Sequence, residues 1–162
     1  MAETLFSGKP HVFDAMVFIN FHGLGLLENF FLWANKEIIL TPPVKREARS
    51  SKMGRIKWGR YVNNEDVIYV PMELNKEQSL FSHYLNREID GKVIHTGEAS
   101  ALAVAIANNW GLVCDEIVVR KEYYRVTHDT ALHSWALVEL AVNKGFIDRK
   151  EAEWIKKGLY YV

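Results

Sequence analysis

Four acidic positions along this chain share one local setting. Asp14 follows the apolar run His11-Val12-Phe13, Glu47 follows Pro43-Val44-Lys45-Arg46, Glu98 follows Thr96-Gly97, and Asp115 follows Leu112-Val113-Cys114 with Glu116 directly behind it. Each stands at the end of a strand-like run or near the start of a helix-like one, on the side of a parallel sheet where loops gather. Carboxylates that converge repel, and they stay partly protonated unless a cation joins them. Hard divalent ions meet that need, because Mg²⁺ and Mn²⁺ take oxygen ligands and keep waters for a substrate. The chemistry such a site suits is phosphodiester hydrolysis, with water activated and the leaving oxygen stabilised. Taken singly, Asp14 equally suits the cap of the helix after it, and Glu47 is ordinarily a charge in the first turns of a helix, where it favours the dipole.

A basic cluster begins beside Glu47. Lys45, Arg46, Arg49, Lys52, Arg55, Lys57 and Arg60 crowd into one segment with Trp58 among them, against Glu47 alone. Such a run is ordinarily a solvated face. With an aromatic side chain in it, it is also what a single-stranded nucleic acid binds, phosphates on the cations and a base on the ring. Gly54 and Gly59 make a flap or insertion over about residues 49–65 the expected form.

Composition sets the frame for these residues. A chain of 162 residues with 49% hydrophobic content is long enough for one core and short for two, so one domain spanning 1–162 is expected. Twenty basic and twenty acidic residues cancel, leaving recognition to local clusters. The lone cysteine, Cys114, rules out an internal disulfide and a cysteine-based zinc site, which suits a reducing compartment; a cytoplasmic location is the expectation. No apolar stretch has the length of a membrane span, and Glu3, Lys9 and Pro10 break the pattern of a leader peptide.

The elements that must position the acids alternate along the chain. Val12-Phe13 should end a first strand, with Ala15 onward turning into a helix and Leu24 to Ala34 packing as another. Glu37 to Thr41 reads as a second strand and Pro43 to Ala48 as a short helix that starts on its proline. Val67 to Val70 is a third strand. Asn75 to Glu88 reads as a surface helix with Asn75 as its cap and Gln78 in the box position, and Asp90-Gly91 as a turn. The alanine-rich run from Thr96 to Asn108 predicts a buried helix stopped at Asn109-Trp110-Gly111, and Leu112-Val113-Cys114 a fourth strand. Tyr123 to Val126 should lead into a last strand, Thr130 to Lys144 should be helical, and Asp148 should cap a helix over Arg149 to Lys157 with Glu151 in the box position. Leu159 to Val162 should pack onto the body or serve a dimer contact.

Together, the runs Val12-Phe13-Asp14-Ala15, Pro43-Val44-Lys45-Arg46-Glu47, Gly97-Glu98-Ala99-Ser100-Ala101 and Val113-Cys114-Asp115-Glu116 resemble the PIN-domain family, including the VapC-type toxin nucleases. They are most similar to the branch with a Gly-Glu-Ala motif at the third acid and an Asp-Asp pair at the fourth. The resemblance runs from His11 to about Ile147. It implies a three-layer α/β/α sandwich around a central, mostly parallel sheet, and Mg²⁺- or Mn²⁺-dependent endonuclease activity on single-stranded or structured RNA. It also implies, commonly, a homodimer and, for toxin members, an antitoxin protein as partner. Carried over by residue, the resemblance implies that Asp14, Glu47, Glu98 and Asp115 hold the metal, with Glu116 as an outer-shell or alternative ligand. The branch has Asp-Asp-Arg where this chain has Asp115-Glu116-Ile117, and its first arginine after that point, Arg120, joins the candidate phosphate contacts.

The histidines His11, His22, His83, His95, His128 and His133 show no metal-ligand spacing and read as ordinary surface or satisfied residues, although His22 and His95 lie close in sequence to candidate acids. Cys114 reads as a small buried residue. Two other classes fit parts of the pattern. One is an RNA- or protein-binding module without catalysis. The other is a receiver-like domain with Asp14 as phosphoacceptor, which lacks the acidic pair expected on its first strand.

Overall fold

The computed structural model describes residues 3–159. Val12 and Phe13 are fully buried in β1 (His11–Phe13), and α1 (Ala15–Gly23) starts directly after Asp14. Asp14 occupies the N-cap position of α1, yet its side chain makes no capping hydrogen bond, so the cap does not account for it. α2 (Leu27–Ala34) begins later than Leu24, because Gly25 takes a positive φ of 71° and turns the chain first.

β2 (Ile38–Leu40) leads into α3 (Pro42–Glu47), which starts on both prolines. Glu47 is therefore the last residue of a six-residue helix and not a first-turn residue. A negative charge at that end opposes the helix dipole, which removes the dipole as the reason for Glu47. After it, over the segment expected as a flap or insertion, β3 (Ser50–Ser51) and β4 (Gly54–Arg55) form an antiparallel hairpin, followed by α4 (Trp58–Asn63).

β5 (Ile68–Tyr69) precedes α5 (Asn75–Tyr84), whose cap is Leu74 and not Asn75. The Leu74 amide donates to Glu77 Oε1 at 3.1 Å, the role expected of Gln78. Asp90-Gly91 turns the hairpin of β6 (Glu88–Ile89) and β7 (Lys92–Val93), both residues having positive φ. α6 (Thr96–Asn108) ends on Asn109 in the left-handed conformation, and β8 (Gly111–Val113) follows. Tyr123 to Val126 belong to α7 (Ile117–Thr127) and not to a strand; only Leu132 continues the sheet, as a parallel bridge to Val113. α8 (Ser134–Asn143) and α9 (Arg149–Leu159) complete the described chain. Asp148 Oδ1 accepts from the Glu151 amide at 2.7 Å, the expected cap of α9. The packing or dimer role expected of the end from Tyr160 to Val162 lies outside the described residues.

The four strands of the central sheet are parallel in the order β5-β2-β1-β8. Alternation along each strand divides the core between two faces. Phe13, Ile38, Leu40 and Val113 pack with α1, α2, α8 and α9 on one face; Val12, Ile39, Leu112 and Cys114 pack with α5, α6 and α7 on the other. The result is the expected three-layer α/β/α sandwich. From β1 the chain runs to β2 on one side, while β8 continues toward Leu132 on the other. The carboxyl ends of β1 and β8 thus form the switch point at which open parallel sheets place ligands. Among the described residues no single helix is long and apolar enough to cross a membrane.

Candidate active site

The register of β1 against β8 pairs Phe13 with Val113, so Asp14 and Cys114 emerge side by side, and Cys114 Sγ donates to Asp14 Oδ2 at 3.5 Å. Asp14 is only 6% exposed. Burial raises its carboxyl from 3.8 to about 6, and the charges of Glu98 and Glu47 push the same way, against the Ala15 amide and the Cys114 thiol. Burial likewise pushes the Cys114 thiol well above its usual range, with Asp14 adding to the shift, so it stays protonated as an inert buried group.

Glu47 and Glu98 reach Asp14 through contacts between α3 and α6. The Gly97 amide donates to Glu47 Oε1 at 2.9 Å, and a Cβ at position 97 would overlap that carboxylate, so only glycine permits the approach. Below this contact, the hydroxyls of Thr41 and Ser100 are hydrogen-bonded at 2.7 Å, and Ser100 Oγ donates to Gly97 O at 2.8 Å. Those buried bonds fix the start of α6 against the end of β2 and thereby set where Glu98 stands. Glu98 Oε1 accepts from the His95 amide at 3.1 Å and lies 3.6 Å from Lys92 Nζ; the same ammonium lies 3.7 Å from Glu116 Oε2. Lys92 is thus a cation shared by two of the predicted acids.

Asp115 is held differently. Its Oδ1 accepts from the Ser134 amide at 2.6 Å, and its Oδ2 accepts from Ser134 Oγ at 2.6 Å and Asn20 Nδ2 at 3.3 Å. One residue beyond Cys114, it turns to the α1–α8 side of the sheet, as strand alternation requires. The structure therefore brings Asp14, Glu47 and Glu98 together, pairs Glu116 with Lys92, and anchors Asp115 at the exposed rim. Among the described residues no three His, Cys, Asp or Glu groups are already gathered at metal-binding spacing. The donors are nonetheless all oxygen, and Asp14 is a buried carboxyl burdened by neighbouring negative charge, which fits Mg²⁺ or Mn²⁺.

Lys45, Arg46, Arg49, Arg55 and Lys57 line one cavity of about 700 Å³, with Tyr69 in its wall and Lys45 Nζ 5.4 Å from the Tyr69 ring centre. Arg60 lines a smaller cavity nearby together with His22, and Lys52 stands exposed on the hairpin. Trp58 corrects the expectation of a stacking platform. It is 6% exposed, its ring meets Phe18 edge-on, and its Nε1 donates to Ala48 O at 2.7 Å, so it belongs to the core. Trp58 also edges the groove, but with its ring largely buried; the half-buried aromatic side chain there is Tyr69, which in sequence is indistinguishable from any other strand residue.

Arg120 Nη1 donates to Cys114 O at 2.9 Å and lines a separate cavity that contains Asp115. The acid pattern does not single out Asn20, Ser134, Thr41, Ser100 or Lys92, which the structure adds to the site and its supports. Asn20 carries a signal, as a polar residue inside an otherwise apolar helix; Lys92 and Ser134 carry none, because their partners are distant in sequence. His22 is bonded to Ser51 Oγ at 2.6 Å, and His11 is stacked on Phe6, where burial holds it down at about 4.

No protein-family model, curated protein or solved structure matches the chain.

Proposed function

We propose that this chain is a divalent-metal-dependent endoribonuclease that cuts single-stranded or structured RNA, with Asp14, Glu47 and Glu98 as its acidic centre. One observation carries the reading: a buried carboxyl at the switch point of a parallel sheet stands among acids, and α3, which ends in Glu47, also walls a groove of five cations and a tyrosine. Asp14 and Glu98 would hold Mg²⁺ or Mn²⁺, with Glu47 beside them and Asp115 and Glu116 at the rim. The ion would supply activation of the attacking water and stabilisation of the leaving oxygen. Lys45, Arg46, Arg49, Arg55 and Lys57 bind the phosphates of the strand, and Tyr69 offers a face to a base. In the reaction water oxygen bonds to phosphorus, the bond to the leaving sugar oxygen breaks, and a neighbouring carboxylate takes the proton released from the water.

A toxin role with an antitoxin partner, and a homodimer, extend this reading along the family resemblance. A second reading is an RNA-binding module without catalysis, favoured by Lys92, which already neutralises Glu98 and Glu116. Incubating the purified chain with labelled single-stranded RNA and Mn²⁺ separates the two. Cleavage that is lost in Asp14→Asn supports the nuclease; tight RNA binding with no cleavage in either protein supports the binding module.

A further inference from the structure

We infer that the cavity beside Asp115 is a binding subsite for one nucleotide, with Arg120, His133 and Lys156 taking its phosphate and Trp135 and Met16 taking its base. The inference rests on the RNA reading above and adds a separate place on the chain for a nucleotide. The cavity encloses about 590 Å³ and shares no lining residue with the basic groove. That volume lies within the range of small-molecule sites, roughly 300–1,000 Å³.

Its polar groups are oriented donors. Arg120 spends one N–H on Cys114 O, which fixes the guanidinium and leaves its other N–H groups for a ligand. His133 Nδ1 accepts from the Ala136 amide at 3.1 Å, so in the neutral ring the proton is on Nε2, free to donate. Lys156 holds its ammonium 4.9 Å from the Trp135 ring centre, setting a cation beside an aromatic surface. Asp115 would repel an anion if it were bare, but both of its oxygens already accept hydrogen bonds from Ser134 and Asn20. Asn20 is nine-tenths buried, and its Nδ2 is turned to Asp115, which holds that carboxylate in place at the cavity wall.

Asp115 follows Cys114, whose thiol touches Asp14, but its side chain turns to the α1–α8 side, so the cavity opens on the other face of the sheet from the Asp14 carboxyl. No other group described above uses Trp135 or Lys156.

The test is calorimetric titration of the purified chain with adenosine 5′-monophosphate in EDTA, compared with adenosine and with inorganic phosphate. Adenosine monophosphate should bind more tightly than either, and Lys156→Gln and Arg120→Gln should each weaken it about tenfold, the loss expected for one charge-assisted contact. The Lys156 ammonium ties down no backbone carbonyl among the described residues, so its variant keeps the test valid if Arg120→Gln unfolds. Equal binding of phosphate and the nucleotide, no binding of the nucleotide, or unchanged affinity in Lys156→Gln would overturn the inference. The titration needs no metal and no cleavage. RNA cleavage with nucleotide affinity unchanged by Lys156→Gln would therefore sink the subsite alone, and nucleotide binding without cleavage would sink the nuclease alone.

Discussion

The Gly97 amide and the Glu47 carboxylate meet at 2.9 Å, joining the last residue of α3 to the first turn of α6. Through this contact two acids that lie far apart in sequence come near enough to Asp14 for their charges to raise its carboxyl. Gly97→Ala should therefore act on the site as well as on the fold. The added methyl overlaps the Glu47 carboxylate. A loss of about 1–3 kcal/mol in urea unfolding is expected, together with weaker Mn²⁺ binding. An alanine variant as stable as the parent and binding Mn²⁺ equally would show that Glu47 can leave without consequence.

Asp14 gives a pH signature. Its carboxyl is raised from 3.8 to about 6, chiefly by burial. Between those values the folded chain holds a proton that the unfolded chain has released, so the stability from this group falls as pH rises from about 4 through 6. In Asp14→Asn that decline is absent. The metal-free variant should be more stable than the parent at pH 7, by about 1–3 kcal/mol, and the difference should shrink toward pH 4. Denaturant midpoints across this range check it, and a difference that does not vary with pH would contradict it.

Lys92 would compete with a divalent ion at Glu98 and Glu116, because its ammonium lies within 4 Å of both carboxylates. Lys92→Gln should tighten Mn²⁺ binding by about three- to tenfold, since a like charge beside the ion disfavours it. Calorimetry reads this directly. Weaker binding in Lys92→Gln would make Lys92 a support of the site and not its competitor.

The basic groove predicts a division between its two aromatic residues. Tyr69→Ala should weaken binding of a short single-stranded RNA by about 1–3 kcal/mol with little change in stability. Trp58→Phe should leave RNA affinity near that of the parent and cost stability, since its indole N–H bonds the buried backbone of Ala48. Neutralising Lys45, Arg49 and Arg55 should lower the slope of log affinity against log salt by about 0.7 for each phosphate deprived of its cation. An unchanged slope would mean the groove is only a solvated face.

The sheet is legible in the sequence because its strands are short apolar runs and its acids punctuate them; β1, β2 and β8 stand where those runs stand. α7 is not, because Tyr123 to Val126 has strand-like residue types, while the burial of Val119 and Tyr123, one helical turn apart, is what decides it. Trp58 misleads for the same kind of reason. Its sequence neighbours are cations, but its spatial neighbours are Phe18 and Tyr61. In the site, Asp14 and Glu98 are readable from local pattern. The turn of Asp115 toward Ser134 and the reach of Lys92 to Glu98 depend on pairings that no local window contains.

Titration of the metal-free chain with Mn²⁺ at pH 7 decides whether Asp14 belongs to an anionic pocket able to hold a divalent ion. Saturable binding is expected in the parent, with a drop of at least about tenfold in affinity in Asp14→Asn and in Glu98→Gln and the folded state retained in each. Equal Mn²⁺ affinity in the parent and both variants, or no binding in the parent, would contradict it.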